Sequence, residues 1–272
     1  MGTTAEFATA VQTLHTGIAS FGWVQTADTG QLDWHTFVTG TQTANASWGY
    51  EIWRMNDVLQ ATAPVFLKLE IGAGSVNWYT GSLWITVGTG SDGVGNITGV
   101  VVPRTQISDP GGSSDGSQYS YLSGAPNRLM VALRVFFIYE AVSFVIERTK
   151  DLAGLDTAEG VMVATASAAA VTSCVGYFHR TNIAQMTHWN VSVPPSGGGV
   201  RAPDLNVFPV RCWDPGETLP FHGVCVYAAG DFTPRATVQV TCWDGAARTY
   251  LIGPAFPSCA YGGTGYPLWR YD

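Results

Sequence analysis

The chain has 272 residues, enough to bury a sizeable apolar core as one large β domain or as two ordinary domains. Only 12% of the residues are charged, with a net charge of −7, and Lys68 and Lys150 are the only lysines. Nucleic-acid binding depends on clustered Lys and Arg, so a nucleic-acid partner is not expected. The 32 glycines and 10 tryptophans are typical of an all-β protein rather than a cytosolic enzyme.

The first segment predicts one amphipathic helix, from about Thr4 to Ser20. Four apolar residues recur at helical spacing, namely Phe7, Val11, Leu14 and Ile18. Thr3 and Glu6 stand in capping-box register before them, and Gly22 follows. A helix this short is marginal alone, so we expect its apolar stripe to pack against a sheet or a neighbouring subunit. The stretch contains no Lys or Arg, which argues against a secretory signal and for folding in the cytoplasm.

From Trp23 onward the pattern changes to strands. In "GYEIWRM" and "APVFLKLEIG", residues alternate so that each strand has one apolar and one mixed face. Lys68 and Glu70 lie on the mixed face, where we expect them to serve solubility and to protect a sheet edge, or to meet a neighbouring subunit.

Further strands are predicted along most of the remaining chain, separated by glycine-rich turns. The most apolar window, "LMVALRVFFIYEAVSFVIER", contains Arg134, Glu140 and Glu147, so we interpret it as two buried strands and expect no membrane insertion. The fold class is therefore mainly β, with antiparallel β-sandwich or jelly-roll-like sheets and one N-terminal amphipathic helix.

Composition also suggests a division of the chain. We expect a main domain over 1–193, a Pro/Gly-rich linker or long turn over 194–205, and a smaller β-rich region over 206–272. In the last region "VRCWDPGE" and "VTCWDGAA" end alike, which fits pairing within one small sheet and could bring Cys212 and Cys242 face to face. The five cysteines are odd in number and lack CxxC spacing, so free thiols are the main expectation.

No motif supplies catalytic chemistry, and we expect no catalytic, cofactor-binding or metal-binding residue. Three weaker patterns stay open as alternatives. His179 and His188 flank one turn but lack a third metal ligand. Two acid pairs could serve sugar hydrolysis, Glu51 with Glu70 and Glu140 with Glu147. Asp109 and Asp115 lie in a serine-rich stretch without the regular spacing of a calcium loop.

The candidate contact site is a polar loop from about Ser108 to Ser123. Its glycines and serines provide no apolar anchor, and it ends in two tyrosines, which give contact area at low entropic cost. The candidate residues are Asp109, Asp115, Tyr119 and Tyr121. Core packing is the default for each tryptophan alone, but as a group the excess tryptophans suggest an extensive contact surface.

The segments "WVQTADTGQLDW", "GYEIWRMNDVLQATAPVFLKLEIGAG" and "LWITVGTGSDGVGNITG" resemble a group of uncharacterised virion-associated proteins of tailed bacteriophages and prophages. The resemblance covers about the first 100 residues and supplies no catalytic residue. It implies a virion structural protein, of the tail, baseplate or fibre kind, that forms a symmetric multimer with itself and with neighbouring virion proteins. A head-decoration protein, or a glycan- or receptor-binding module for host adsorption, is the alternative.

Overall fold

The computed structural model describes residues 4–34, 46–73, 81–107, 119–134, 142–149, 160–167, 170–178, 200–202, 205–214, 217–228, 236–241, 246–252, 256–257 and 264–272. Within them the chain is mostly β, with antiparallel sheets and a single N-terminal helix, so the expected class is confirmed. The sheets are compatible with a sandwich arrangement. In the described part of the chain, no helix combines the length and apolar character needed to cross a membrane.

Helix α1 spans Thr4–Ser20, as predicted. Val11, Leu14 and Ile18 are buried, while the side chain of Phe7 and the capping residue Thr3 lie outside the described part. Gly22, two residues after the end of the helix, has a φ of 89°, in the left-handed region that glycine adopts at little cost in free energy. The amphipathic helix and its packed stripe are thus confirmed by these three positions.

The chain divides into two compact units, which we describe separately. Unit 1 comprises 1–110 and 115–143, and unit 2 comprises 111–114 and 144–272. Within the stretch expected to be a linker, Val200–Ala202 forms a strand. The composition-based limits at 193 and 206 stay a prediction.

Unit 1 contains a five-stranded antiparallel sheet with its strands in chain order: β1 (Val24–Gln25), β2 (Ser47–Arg54), β3 (Phe66–Ala73), β4 (Gly81–Ser91) and β5 (Ile97–Ile107). On one face Glu51 pairs with Leu69, which pairs with Ile85. On the other face Glu70 lies between its cross-strand partners on β2 and β4. The predicted alternation of an apolar and a mixed face is present.

The expectation that Lys68 and Glu70 protect a sheet edge is wrong. Both lie on β3, which pairs with β2 on one side and with β4 on the other. The strands of this sheet follow one another in chain order, so β3 is the central strand. The outer edge of β2 is instead covered by residues 24–32, where backbone N–H groups of Thr26 and Leu32 donate to β2 carbonyls.

A hairpin completes unit 1, formed by β6 (Tyr119–Ala125) and β7 (Arg128–Arg134). Leu122 packs against the helix so closely that a Cβ added at Gly17 would lie 2.7 Å from its Cδ1. The Trp23 indole N–H donates to the carbonyls of Ala125 and Arg128. The predicted loop is wrong for residues 119–123, because they form a strand that pairs with the apolar strand β7. Residues 108–118 lie outside the described part of the chain.

Unit 2 contains an antiparallel meander of β8 (Val142–Thr149), β9 (Gly160–Ser167) and β10 (Ala170–Phe178). Its larger sheet runs in the order β11-β12-β13-β17-β15-β14, with β16 paired to β17. The bounds are β11 (Val200–Ala202), β12 (Leu205–Asp214), β13 (Glu217–Ala228), β14 (Thr237–Thr241), β15 (Ala247–Ile252), β16 (Phe256–Pro257) and β17 (Thr264–Arg270).

The two C-W-D segments share this sheet but do not pair with each other. Cys212 lies on β12, while the second segment begins at the end of β14, and β13, β17 and β15 stand between them in the strand order. The predicted pairing is wrong because the last strand of the chain inserts between β13 and β15. Cys242 lies outside the described residues.

Candidate functional site

The most unusual polar group of unit 1 is the carboxyl of Glu51, which is fully buried between α1 and the five-stranded sheet. Nδ1 of His15 lies 2.7 Å from its Oε1. The Trp53 indole N–H donates to Oε2 at 3.1 Å, and the backbone N–H of Trp34 also donates to this carboxyl. We call these four residues the His15–Glu51 cluster.

Periodicity explains how the chain assembles the cluster. His15 follows Leu14 in the helix and lies on the side of α1 that carries Val11 and Ile18, so it points at the sheet with them. Glu51 and Trp53 are two residues apart on β2 and share the face that packs under the helix. Edge-to-face contact between the rings of His15 and Trp53, at 5.3 Å between centroids, closes the arrangement.

Burial raises the pKa of Glu51 to about 8, and the nearby charge of Asp33 acts in the same direction. The hydrogen bonds from Trp53 and Trp34 oppose this shift but do not cancel it. Across the sheet the same face presents Leu69 and then Ile85, both buried and apolar, so no solvent reaches the carboxyl from that side. Chemically, the site can hold a proton at neutral pH, where an exposed glutamate would have released it.

A second polar network ties the start of the chain to the β4–β5 turn. Asp28 is buried and accepts hydrogen bonds from the Ser91 hydroxyl and the Gly95 backbone N–H. Burial alone would raise the pKa of Asp28, but hydrogen bonds from Thr26, Ser91 and the backbone outweigh it and hold the pKa below its usual value. The Lys68 ammonium donates to the Gly95 carbonyl at 2.9 Å.

We expect Asp28→Asn to lower the free energy of unfolding by about 1–2 kcal/mol at neutral pH, because an amide cannot accept every bond that the carboxylate accepts. The folded pKa of Asp28 is depressed, so its contribution is present above the unfolded value of about 3.9 and is lost as the pH falls through the folded value. Denaturation of both proteins across this range should show the difference shrinking in acid. A difference that stays constant down to low pH would contradict this account.

The mixed face of the sheet carries an ion pair. The Arg104 guanidinium donates to Glu70 with Nε and Nη2, the shortest distance being 2.6 Å, and lies 4.4 Å from the ring centroid of Trp84. Beside it the Lys68 ammonium lies 4.1 Å from the ring centroid of Tyr50. Both cations are therefore held by partners within the unit.

The acid pair of Glu51 and Glu70 is wrong as a sugar-cleaving pair. Glu51 is opposite Leu69, the residue before Glu70, so the two carboxylates point to opposite faces of one sheet. No cleft can present both to one substrate. For the second pair, Glu140 lies outside the described residues, and Glu147 is bonded to Arg270 at 2.6 Å.

The candidate contact residues are only partly described. Asp109 and Asp115 lie outside the described residues. Tyr119 begins β6, and its side chain is likewise outside them, while Tyr121 is half-buried on β6 opposite Ala132. Their role in contact stays a prediction.

Five tryptophans are buried: Trp23, Trp34, Trp53, Trp84 and Trp269. Trp48 is half-buried, and the other four side chains lie outside the described part. These five indoles are core, which is the default for a single tryptophan, and the contact surface expected of the group stays a prediction.

Sequence reasoning missed the pairing of His15 with Glu51. The available signal was a histidine within the apolar stripe of the helix and a glutamate beside a tryptophan in a predicted strand. Neither reveals the other, since the two are 36 residues apart. Among the described residues, no three His, Cys, Asp or Glu side chains are grouped so as to hold a metal ion. His179 and His188 lie outside them.

Comparison of the chain with protein-family models, curated proteins and solved structures gave no match.

Proposed function

We propose that the protein is a structural subunit of a bacteriophage virion, tail-associated as a tail, baseplate or fibre component, and that it works as a symmetric multimer. The observation that carries the proposal is that charged groups of unit 1 are bonded to partners within the same unit. In unit 1 the Lys68 ammonium, the Glu70–Arg104 pair and the Glu51 carboxyl are all bonded to groups of the same unit. The chain is only 12% charged, and the buried carboxylates of Glu51 and Glu70 add little to the surface charge of unit 1.

A surface poor in charge suits a protein that neighbours will cover. Soluble monomers keep themselves apart with many exposed charges of both signs, whereas the centre of a protein interface is depleted of Lys, Glu and Asp. Lys68 is one of only two lysines in 272 residues, and its ammonium group donates to a backbone carbonyl and lies over a tyrosine ring of the same unit. The resemblance of the first 100 residues to virion-associated proteins supports the same class.

On this proposal the partners are other copies of the chain and adjacent virion proteins. The chain would fold in the host cytoplasm and act in the particle. Closed rings or fibres need only one repeated interface, which an antiparallel β unit with a covered β2 edge can provide through its faces.

We expect the purified full chain to be oligomeric. Mass photometry and light scattering should give a mass that is an integer multiple of the 29.0 kDa chain. This mass should persist on dilution to micromolar concentrations and in raised salt, because salt screening does not weaken contacts between uncharged faces. A single species at 29.0 kDa under all conditions would remove the multimer from the proposal.

Location in the particle is tested separately. Gold-labelled antibodies raised against the chain should decorate the tail or baseplate of purified particles. Label on the head would replace the tail assignment with a head-decoration role. Particles that lack the chain by mass spectrometry would overturn the virion assignment altogether.

A further inference from the structure

The His15–Glu51 cluster is the best-built polar site in unit 1, and the structural proposal above does not use it. Its carboxyl is fully buried, its partner comes from a different element, and three donors or acceptors surround it. An apolar residue at this position would favour stability more, because burying an ionisable group costs free energy of desolvation. The cluster therefore invites a role in which its proton matters.

We propose that the His15–Glu51 pair is a proton-dependent latch, which holds helix α1 on the five-stranded sheet while it carries one shared proton and releases the helix as that proton is lost. The separation of 2.7 Å requires a hydrogen between nitrogen and oxygen. With one shared proton the pair has no net charge, whether it is a neutral acid beside an imidazole or a carboxylate beside an imidazolium.

The groups that face the pair explain why losing the proton weakens it. From α1 comes His15 itself, and from the segment after β1 comes Asp33, a negative charge. Trp53 on β2 and the backbone of Trp34 supply neutral donors, while β3 and β4 present Leu69 and Ile85. No described cation other than an ionised His15 is bonded to the carboxyl. Deprotonation therefore leaves a net negative charge in a dry site, close to another negative charge.

The direction of the pH effect follows from comparing the closed form, in which α1 is packed on the sheet, with the open form, in which α1 is released. When α1 lifts, Glu51 becomes hydrated and its pKa returns to about 4.3, while a hydrated histidine titrates near 6.5. The buried pKa of about 8 means that the closed form holds a proton that the open form has released. Stability of the closed form therefore falls as the pH rises through this window and levels off above about 8.

Hydrogen exchange on the full chain tests the latch. After correction for intrinsic exchange rates, opening of α1 should increase about tenfold for each pH unit between about 6.5 and 8, then level off. Amides of β3 and β4 should keep their protection over the same range. A flat profile for α1, or a parallel loss of protection in β3 and β4, would overturn the latch.

Two variants separate the latch from ordinary electrostatics. Glu51→Gln replaces the titrating group with a neutral amide of the same shape, so the pH dependence of α1 opening should disappear. Glu70→Gln is the matched control, because its carboxylate is on the opposite face and is paired with Arg104. It should retain the full pH dependence of α1. Pronounced pH dependence in Glu51→Gln, or its loss in Glu70→Gln, would contradict the assignment.

A measurement on the unmodified chain covers the case in which Glu51→Gln does not fold. Carbon-13 labelling of the glutamate carboxyls and nitrogen-15 labelling of the histidine rings allow both members of the pair to be titrated by NMR, and the shared proton should leave the pair near pH 8, while exposed glutamates change near their usual value of about 4.3. A spectrum in which neither the Glu51 carboxyl nor the His15 ring changes near pH 8 would refute the proposal without any substitution.

Discussion

Leu14→Asp should lower the free energy of unfolding of the full chain by about 4 kcal/mol, the largest effect that we expect from one substitution in unit 1. Leu14 is 2% exposed and lies in the helix stripe between Val11 and Ile18, both also buried. The substitution removes the packed side chain and puts a carboxylate in its place, one residue from the His15–Glu51 cluster. Urea denaturation followed by circular dichroism measures the change.

Thr16→Asp is the matched control for this prediction. Thr16 is exposed on the same helix, two residues further along, so the same new charge meets water there. We expect a cost within about 0.5 kcal/mol, including a small unfavourable effect of a negative charge towards the helix C-terminus. Equal effects of the two substitutions would show that α1 is not packed in solution, and a change below about 1 kcal/mol for Leu14→Asp would show the same.

The helix and the first strands were predictable because the spacing of apolar residues within each segment is enough to identify them. A stripe with a period near 3.6 defines α1, and simple alternation in β2 and β3 places Glu51 and Glu70 on opposite faces once the two strands pair. What alternation does not contain is the order of strands in a sheet. Lys68 therefore looked like an edge residue, although it lies on the central strand β3.

The same limit explains the other errors. Tyr119 to Ser123 is small, polar and tyrosine-rich, so it read as loop; it is a strand because the apolar strand β7 pairs with it. A single buried tryptophan agrees with the default of core packing, and composition alone does not reveal which indoles reach the surface. The His15–Glu51 cluster needed two elements to be docked before either residue gained a partner. The local sequence pattern predicts the helix and the strands and their buried faces, whereas the polar sites form only when these elements pack against one another.

In unit 2 the strongest single effect is expected at Arg270, which lies on β17 and bonds to a carboxylate 123 residues earlier in the chain. Its Nη1 donates to Glu147 at 2.6 Å, and its Nε donates to Asp272 at 2.8 Å. Burial alone would lower the pKa of Arg270, but the charges of Glu147 and Asp272 outweigh it and raise the pKa, so the guanidinium stays charged. Glu147 is 7% exposed, and its pairing with Arg270 offsets much of the free-energy cost of burying its carboxylate.

Arg270→Met should therefore lower the free energy of unfolding by about 3 kcal/mol, because it preserves the apolar stem and removes the charge facing a buried carboxylate. Arg104→Met makes the same change in the Glu70 pair, where the arginine side chain is 42% exposed, and should cost only about 1 kcal/mol. The double variant Glu147→Gln with Arg270→Met should recover most of the loss, since no buried carboxylate then lacks this partner. Urea denaturation of the parent chain, Glu147→Gln, Arg270→Met and the double variant gives the coupling energy of the pair directly. If Arg270→Met and Arg104→Met cost the same, or if the double variant is as unstable as the sum of its parts, burial of Glu147 is not what gives the Arg270 pair its strength.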